Sequence, residues 1–290
     1  NLITYSTLIP DEAINIGTQD EPQIWPQNYG EVWGDGTLRT AWYGVQHSLN
    51  TLAVRVGRMN TTKAMYTQLT QMLGFTTLVE SDIALSPLCL GALTNGAKLV
   101  EVAGAYQIFG NGGVYYRPMF YSKVEDSKGN VIMEQDFYGT QAIDSDSAWV
   151  TNRMIYKVVN GDSGTGPKAK LPNVEVIGKT GTSNAGTDLL FMGLTPEYIG
   201  GLWIGGADGW KAVAQIWHDV MIDIQDTSQV LNFVPDPSVV ERQYCTMTGL
   251  LATNKCSSTN TGYYRASNLP EYCNGDHGTI RKQIKANNPQ

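Results

Sequence analysis

Nowhere in these 290 residues is there an apolar run long enough to cross a bilayer, or the charged, apolar and small-residue order of a secretory leader. A membrane-spanning reading of this stretch is excluded, while a tether encoded upstream of Asn1 stays open. Basic residues are in short supply: 20 Lys and Arg face 27 Asp and Glu, for a formal net charge of -7. No Lys/Arg run offsets that balance, which excludes nucleic acid as the main partner. Only three histidines occur, His47, His218 and His277, and they are scattered in no metal-ligand spacing. The glycines of "NGDSGTG" lack the following Lys-Ser/Thr that completes a phosphate-cradling P-loop.

Cysteine is nearly as sparse, with four in the chain. Cys89 lies in the apolar stretch "SPLCLGAL", where a lone cysteine acts as a small core side chain. Cys245, Cys256 and Cys273 crowd the last fifth among Thr, Ser, Asn and Gly, which suits a disulfide in an oxidising compartment. Three is an odd number, and sequence does not fix the pairing. With His277 they read C-x10-C-x16-C-x3-H, which is not a recurrent zinc spacing, so no metal is assigned.

What the sequence does hold in quantity is turn chemistry, 31 Gly and 12 Pro, alongside 42% hydrophobic residues. That describes a folded globular chain rich in turns, long enough to bury a sizeable core. Residues 1–35 read as loops with short extended pieces. Helical spacing begins after Thr37 as a cap, with Leu38, Ala41, Trp42 and Val45 on one face. "HSLN" interrupts it, and further helices are predicted over 51–59, 62–72 and 98–109. "DSKG" marks a hairpin, and a helix follows over 147–159. Extended segments at 174–182, 189–194 and 198–204 are joined by short turns and predict an antiparallel meander, closed by a helix over 211–224. Helices, then a meander, then a covering helix predict an α+β fold rather than alternating βαβ units. The chain divides into residues 1–225 and an irregular, cysteine-containing C-terminal extension, 226–290.

Two short motifs carry chemistry. In "GKTGT", Lys179 offers a cation to a substrate carboxylate, and the hydroxyls of Thr180 and Thr182 can hydrogen-bond the same group. Gly181 leaves the strand backbone open to a docked peptide. The Thr182 N–H can serve as an oxyanion donor. Strict alternation puts Lys179 on the opposite face from Thr180 and Thr182, so convergence needs twist at a cleft edge. In "SLN", Ser48 and Asn50 have the types for a proton relay and an amide contact. A strand of this kind serves enzymes that park an acyl group on a serine of the form Ser-x-x-Lys. No serine in this chain is followed three positions later by lysine.

In this order, the two motifs resemble the Ser-x-Asn and Lys-Thr-Gly motifs of penicillin-binding proteins and serine β-lactamases. Longer blocks are similar to class A penicillin-binding proteins: "TLRTAWYGVQHSLNTLAVRVG", "EVAGAYQIFGNGGVYYRP" and "GKTGTSNAGTDLLFMGLTPEYIGGLWIG". The tail "CTMTGLLATNKC" resembles the cysteine-bearing ending of some Gram-positive members. The resemblance implies the penicillin-recognising α+β fold, an antiparallel sheet flanked by helices with a helical subregion carrying Ser48 and Asn50. It implies D-Ala-D-Ala transpeptidation in peptidoglycan cross-linking, on the extracytoplasmic face of the bacterial membrane, with stem peptides as substrates and β-lactams as acylating agents. No metal or organic cofactor is implied. A glycosyltransferase domain in the full-length chain and other cell-wall synthesis proteins are the implied partners. By the same resemblance Ser48 passes a proton to the leaving amine, Asn50 positions substrate, Lys179 with Thr180 and Thr182 holds the carboxylate, and Thr182 N–H faces the oxyanion.

There are departures. Members place Ser-x-x-Lys upstream of the segment resembling "STLIPDEAINIG", which puts the serine on the order of 20 residues before Asn1. The fold is then expected to be N-terminally incomplete and inactive alone, with exposed or repacked apolar surface near Trp42 and Leu52. Leu189-Leu190-Phe191 stands where many relatives carry an aromatic pair. Two other readings remain: a carboxypeptidase or β-lactamase, opposed by the class A blocks, and a non-catalytic binding or scaffold module.

Overall fold

The computed structural model describes residues 3–183, 186–206 and 213–287. Short strand pairs hold the N-terminal loops: β1 (Leu8–Pro10), β2 (Ile14–Asn15), β3 (Ile24–Trp25) and β4 (Leu38–Thr40), with β1 antiparallel to β4 and β2 to β3. Leu38 therefore lies in a strand, not on a helix face. Pairing of Leu8 with Thr40 moves the helix start to Thr40, whose Oγ1 accepts from the Tyr43 N–H at 3.3 Å. Helices α1 (Ala41–Gln46) and α2 (Asn50–Arg58) follow, split at Ser48.

The inner face of α2 is partly polar. Arg55 is buried because its guanidinium donates to the main-chain oxygens of Glu12 at 2.7 Å and Ala13 at 3.2 Å. Thr51 Oγ1 donates to Asp11 Oδ1 at 2.6 Å, and Asn28 Nδ2 donates to the same oxygen at 3.0 Å. These bonds fasten the loop segment onto α2, and each buried polar group finds its partner there.

Helix α3 (Thr62–Thr67) is capped by Thr61 and runs on through a π turn to Met72; Gly74, at φ +69°, ends it. Helix α4 (Leu85–Leu90) forms in the apolar stretch around Cys89. Cys89 packs on Gly57 of α2, where an added Cβ would lie 2.2 Å from its sulfur. Helix α5 (Leu99–Tyr106) then leads to β5 (Val114–Tyr116). The "DSKG" hairpin forms as β6 (Lys123–Glu125) and β7 (Val131–Glu134), its turn closed by Asp126 Oδ1 accepting from the N–H of Lys128 and Asn130. Strand β8 (Gly139–Gln141) returns to pair with β5, and α6 (Ser145–Asn160) follows.

The meander consists of β9 (Ile177–Thr182), β10 (Asp188–Leu194) and β11 (Ile199–Gly205), antiparallel in the order β11-β10-β9. Leu189 and Phe191 pack with Trp217 and Met221 of α7 (Val213–Ile224). Leu194 and Ile177 pack with Ile155 of α6 and with Phe233. The sheet is thus covered by helices on both faces. Trp217 rests on Gly193 and Gly200, which are register partners; a Cβ on either would come within 2.5 Å and 2.4 Å of its ring. Residues 211 and 212, expected in α7, lie outside the described residues.

Residues beyond 226 are not irregular. They form β12 (Val239–Cys245), the antiparallel partner β13 (Thr259–Arg265), and α8 (His277–Ala286). Buried Tyr244, Tyr264 and Leu251 join Tyr5 in one cluster, with Trp42 packed against it. The strands escape a periodicity reading because burial falls only on Tyr244 and Cys245 at the end of β12 and on Gly262 and Tyr264 in β13. Nor does the expected exposed surface form at Trp42 and Leu52. Leu52 is only 3% exposed among Ile9 and Ala41, and Trp42 stacks on Tyr5 with ring centroids 6.2 Å apart. No helix among the described residues is long and apolar enough to cross a membrane.

Candidate active site

Ser48 occupies the break between α1 and α2 with a φ of 55°. That left-handed backbone costs a non-glycine residue about 1–2 kcal/mol. The exit from α1 imposes it: His47 N–H donates to Tyr43 O and Leu49 N–H to Gly44 O, each at 3.0 Å. Onto this serine comes Lys179 of β9, whose Nζ donates to Ser48 Oγ at 2.7 Å and to Thr180 O at 2.9 Å. The two motifs, 131 residues apart in sequence, meet through this bond.

Burial pushes the Lys179 ammonium down to about 8, because desolvation disfavours its charged form. A lysine poised there can take or give a proton near neutral pH, and the group beside it is a hydroxyl. His47 is not part of this pair. Its ring packs on Tyr43 at a centroid distance of 3.9 Å, and burial with the Arg39 cation nearby lowers its pKa.

Asn50 is the first residue of α2, and its Nδ2 donates to the Gln27 carbonyl at 2.8 Å. The expected amide therefore ties the N-terminal loop to the helix break. Thr180 shares a hydrogen bond between hydroxyls with Thr165 at 2.7 Å. Thr165 belongs to the "NGDSGTG" loop, which folds back on α6 through Gly166 N–H to Val158 O at 3.0 Å. Lys179 and Thr180 pair across the sheet with Met192 and Phe191, so strand alternation separates them, and their different partners obey it. Gly181 lies opposite Leu190, and a Cβ there would sit 3.3 Å from the Leu190 Cβ. Thr182 is exposed at the strand end.

Sequence reading thus placed Ser48 and Lys179 together but left out Thr165 and Gln27. The glycine loop before the strand was the available signal for Thr165. Gln27 contributes a backbone carbonyl, which carries no side-chain signature. A cavity of about 530 Å³, lined by Phe75, Glu101 and Tyr115 among others, holds none of the motif residues.

The cysteines behave differently from expectation. No S–S bond joins Cys245, Cys256 and Cys273 among the described residues. Their sulfurs and a ring nitrogen of His277 lie within 4.8 Å of one another. Sequence spacing does not register this proximity, which arises from the way the chain folds back between β12 and α8.

Comparison with known proteins agrees with this architecture. Penicillin-binding protein 1A of Clostridium botulinum (strain Langeland) is 29% identical over 273 residues, covering 87% of this chain and 33% of the relative. The chain therefore spans about a third of that curated relative. Among solved structures, penicillin-binding protein 1A from Haemophilus influenzae matches with a TM-score of 0.74 at 20% identity, covering 92% of this chain and 46% of that one. Penicillin-binding protein 3 from Mycobacterium tuberculosis, complexed with ampicillin, matches at 0.63 and 19% identity, covering 81% of this chain and 60% of that one. The family described as the penicillin-binding protein transpeptidase domain matches residues 1–197, a span that contains Ser48, Asn50 and Lys179–Thr182. With the fold and the Ser48–Lys179 pair in place, the chain belongs to the penicillin-binding protein transpeptidase domain family.

Proposed function

We propose that this chain carries the substrate-facing part of a peptidoglycan D-Ala-D-Ala transpeptidase. The observation that carries the reading is the 2.7 Å bond from Lys179 to Ser48, a proton-bridging pair at the junction of helix break and strand. In the full-length enzyme a serine outside this sequence attacks the penultimate D-Ala carbonyl. Its proton passes through Ser48 to the amine of the terminal D-Ala as that C–N bond breaks. An amine from a neighbouring stem peptide then takes the acyl group, and the serine regains a proton. Lys179 attracts the terminal carboxylate of the donor peptide, with Thr180 and Thr182 as hydroxyl contacts. The Thr182 N–H faces the developing oxyanion.

Without a Ser-x-x-Lys motif the chain alone forms no acyl-enzyme, since removing the nucleophile leaves only binding and oxyanion stabilisation. We place the full-length enzyme on the extracytoplasmic face of the membrane, joined to a glycosyltransferase domain. A solved structure described as the D,D-transpeptidase domain of a peptidoglycan glycosyltransferase from Eggerthella lenta supports the joined domain, and the match to only 33% of the Clostridium botulinum relative leaves room for it. β-Lactams acylate the same serine, a reading supported by the ampicillin complex of the Mycobacterium tuberculosis protein.

Covalent labelling with a fluorescent penicillin tests the proposal, applied to this chain and to a longer one that includes the residues encoded upstream of Asn1. Label on the longer chain alone is the expected result. A folded longer chain that takes no label would overturn the transpeptidase reading in favour of a non-catalytic binding module.

A further inference from the structure

The C-terminal extension contains a second constellation that the transpeptidase reading does not use. Cys245 ends β12, Cys256 lies in the turn leading to β13, Cys273 lies beyond β13, and His277 opens α8. One ligand atom from each lies within 4.8 Å of all the others. Around a tetrahedral zinc, with Zn–S near 2.3 Å and Zn–N near 2.0 Å, neighbouring ligand atoms stand about 3.5–3.8 Å apart. The four atoms therefore need close by only about an ångström to enclose one ion.

The surroundings are built for ligation rather than for packing. Cys245 and Cys273 are buried. The His277 Nε2 is also buried and has no hydrogen-bond partner, an orphaned polar atom of the kind that a metal satisfies. Hydrogen bonds fix the backbone of each cysteine: Cys245 N–H to Leu250 O at 2.8 Å, Cys256 N–H to Thr253 O at 3.0 Å, and Cys273 N–H to Leu251 O at 2.8 Å. Thr253 also donates its N–H toward the Cys256 sulfur at 3.5 Å and its hydroxyl to Cys273 O at 2.9 Å. Such outer contacts orient ligands before any ion arrives. Gly275, at φ +91°, makes the turn that returns the chain from Cys273 to His277. A disulfide explains less. It would join two of the sulfurs and leave the third cysteine and the orphaned His277 nitrogen beside them unused.

We infer that Cys245, Cys256, Cys273 and His277 form a structural zinc site that clasps the β12–β13 pair to α8. Four protein ligands fill a tetrahedral ion and leave no open position, which assigns the site to structure rather than catalysis. Binding replaces three S–H bonds with three Zn–S bonds and releases three protons, while the neutral imidazole donates its lone pair. The inference is independent of the transpeptidase reading, because none of the four residues belongs to the Ser48–Lys179 site.

Elemental analysis of the full chain, purified without chelator or added oxidant, tests it. One zinc per chain, retained through dialysis, is the expected result. Substitution by cobalt(II) should then give the intense thiolate-to-metal absorption and visible bands of a tetrahedral thiolate site. His277→Ala should loosen zinc by more than the roughly 10–100-fold that outer contacts contribute. Cys256→Ser should weaken the thiolate-to-cobalt absorption in proportion to the lost sulfur. Should those variants fail to fold, zinc content and the cobalt spectrum of the unsubstituted chain still decide the matter. A metal-free protein whose mass shows two hydrogens lost to a disulfide overturns the inference. So does a chain with free thiols that takes up neither zinc nor cobalt.

Discussion

Trp42 of α1 donates its indole N–H to the Tyr244 hydroxyl at 2.9 Å, across 202 residues of sequence. The helix that leads to Ser48 is thereby bonded to the C-terminal strand pair, in a cluster with Tyr5 and Tyr264. Two neighbouring tyrosines should respond oppositely to loss of their hydroxyls. Tyr244→Phe leaves the Trp42 N–H without its partner and should destabilise the chain by about 1–3 kcal/mol. The Tyr5 hydroxyl is buried with no hydrogen-bond partner, so Tyr5→Phe should be neutral or stabilising by up to about 1 kcal/mol. Urea unfolding followed by tryptophan fluorescence measures both. Equal effects would mean that the extension does not share a core with α1.

Lys179 makes stability depend on pH in a defined window. Its pKa falls from 10.5 to about 8 on folding, through burial. Below pH 8 both states hold the proton, and the folded state bears the full cost of a desolvated cation. Between about 8 and 10.5 the unfolded state binds more protons, so stability rises with pH until both states are neutral. Lys179→Met, which keeps the stem and removes the charge, should be more stable than the parent by about 3 kcal/mol below pH 8, less the lost bond to Ser48. That advantage should fade by pH 10.5. Paired denaturant titrations from pH 7 to 11 check the sign. An advantage that does not vary with pH would show that Lys179 is not desolvated.

Ser48 separates strain from chemistry. Its φ of 55° suits glycine, whereas its hydroxyl receives the Lys179 bond. Ser48→Gly should relieve the backbone and cost little stability, or gain about 0.5–1 kcal/mol. Both variants lose the Lys179 bond, but Ser48→Ala also keeps the strain and should be less stable than Ser48→Gly by about 1–2 kcal/mol. In the longer, label-competent chain both should slow penicillin acylation by about 10²–10⁴, the range of a positioned proton-transfer group. Equal acylation by Ser48→Gly and the parent would remove Ser48 from the proton path.

What could be read from sequence follows the physics of each element. The meander was legible because Leu189 to Leu194 and their neighbours are apolar runs joined by short turns, and their order β11-β10-β9 is the simplest such runs allow. Ser48 and Lys179 were legible as motifs, and only folding could show that one bonds the other. The N-terminal segment was legible as loops with short extended pieces, but how it is held was not. Its fixity comes from Arg55 and Thr51 reaching back to Glu12, Ala13 and Asp11, polar contacts with no periodicity. Cys245, Cys256, Cys273 and His277 were visible one by one. Their convergence depends on the β12–β13 pairing, which sequence spacing does not encode.

Glu175 and Arg153 provide the sharpest test of the core beside the meander. Arg153 Nη1 donates to Glu175 Oε1 at 2.7 Å, and the other carboxylate oxygen accepts the Phe233 N–H at 2.9 Å. Both side chains are nearly out of solvent, at 10% and 11% exposure, so each depends on the other for charge compensation. The guanidinium also lies over the rings of Trp149 at 4.2 Å and Tyr156 at 4.9 Å. Arg153→Met keeps apolar contact with those rings but strands the carboxylate, and should cost about 3–5 kcal/mol. Glu175→Gln should cost less, because the amide oxygen can still accept from Arg153 or Phe233 and the guanidinium keeps its aromatic neighbours. The double variant should recover much of the Arg153→Met loss, since no buried charge is then left alone. A double-mutant cycle by chemical denaturation at pH 7 gives the coupling directly. Strict additivity would mean that the pair is solvated in solution and holds nothing together.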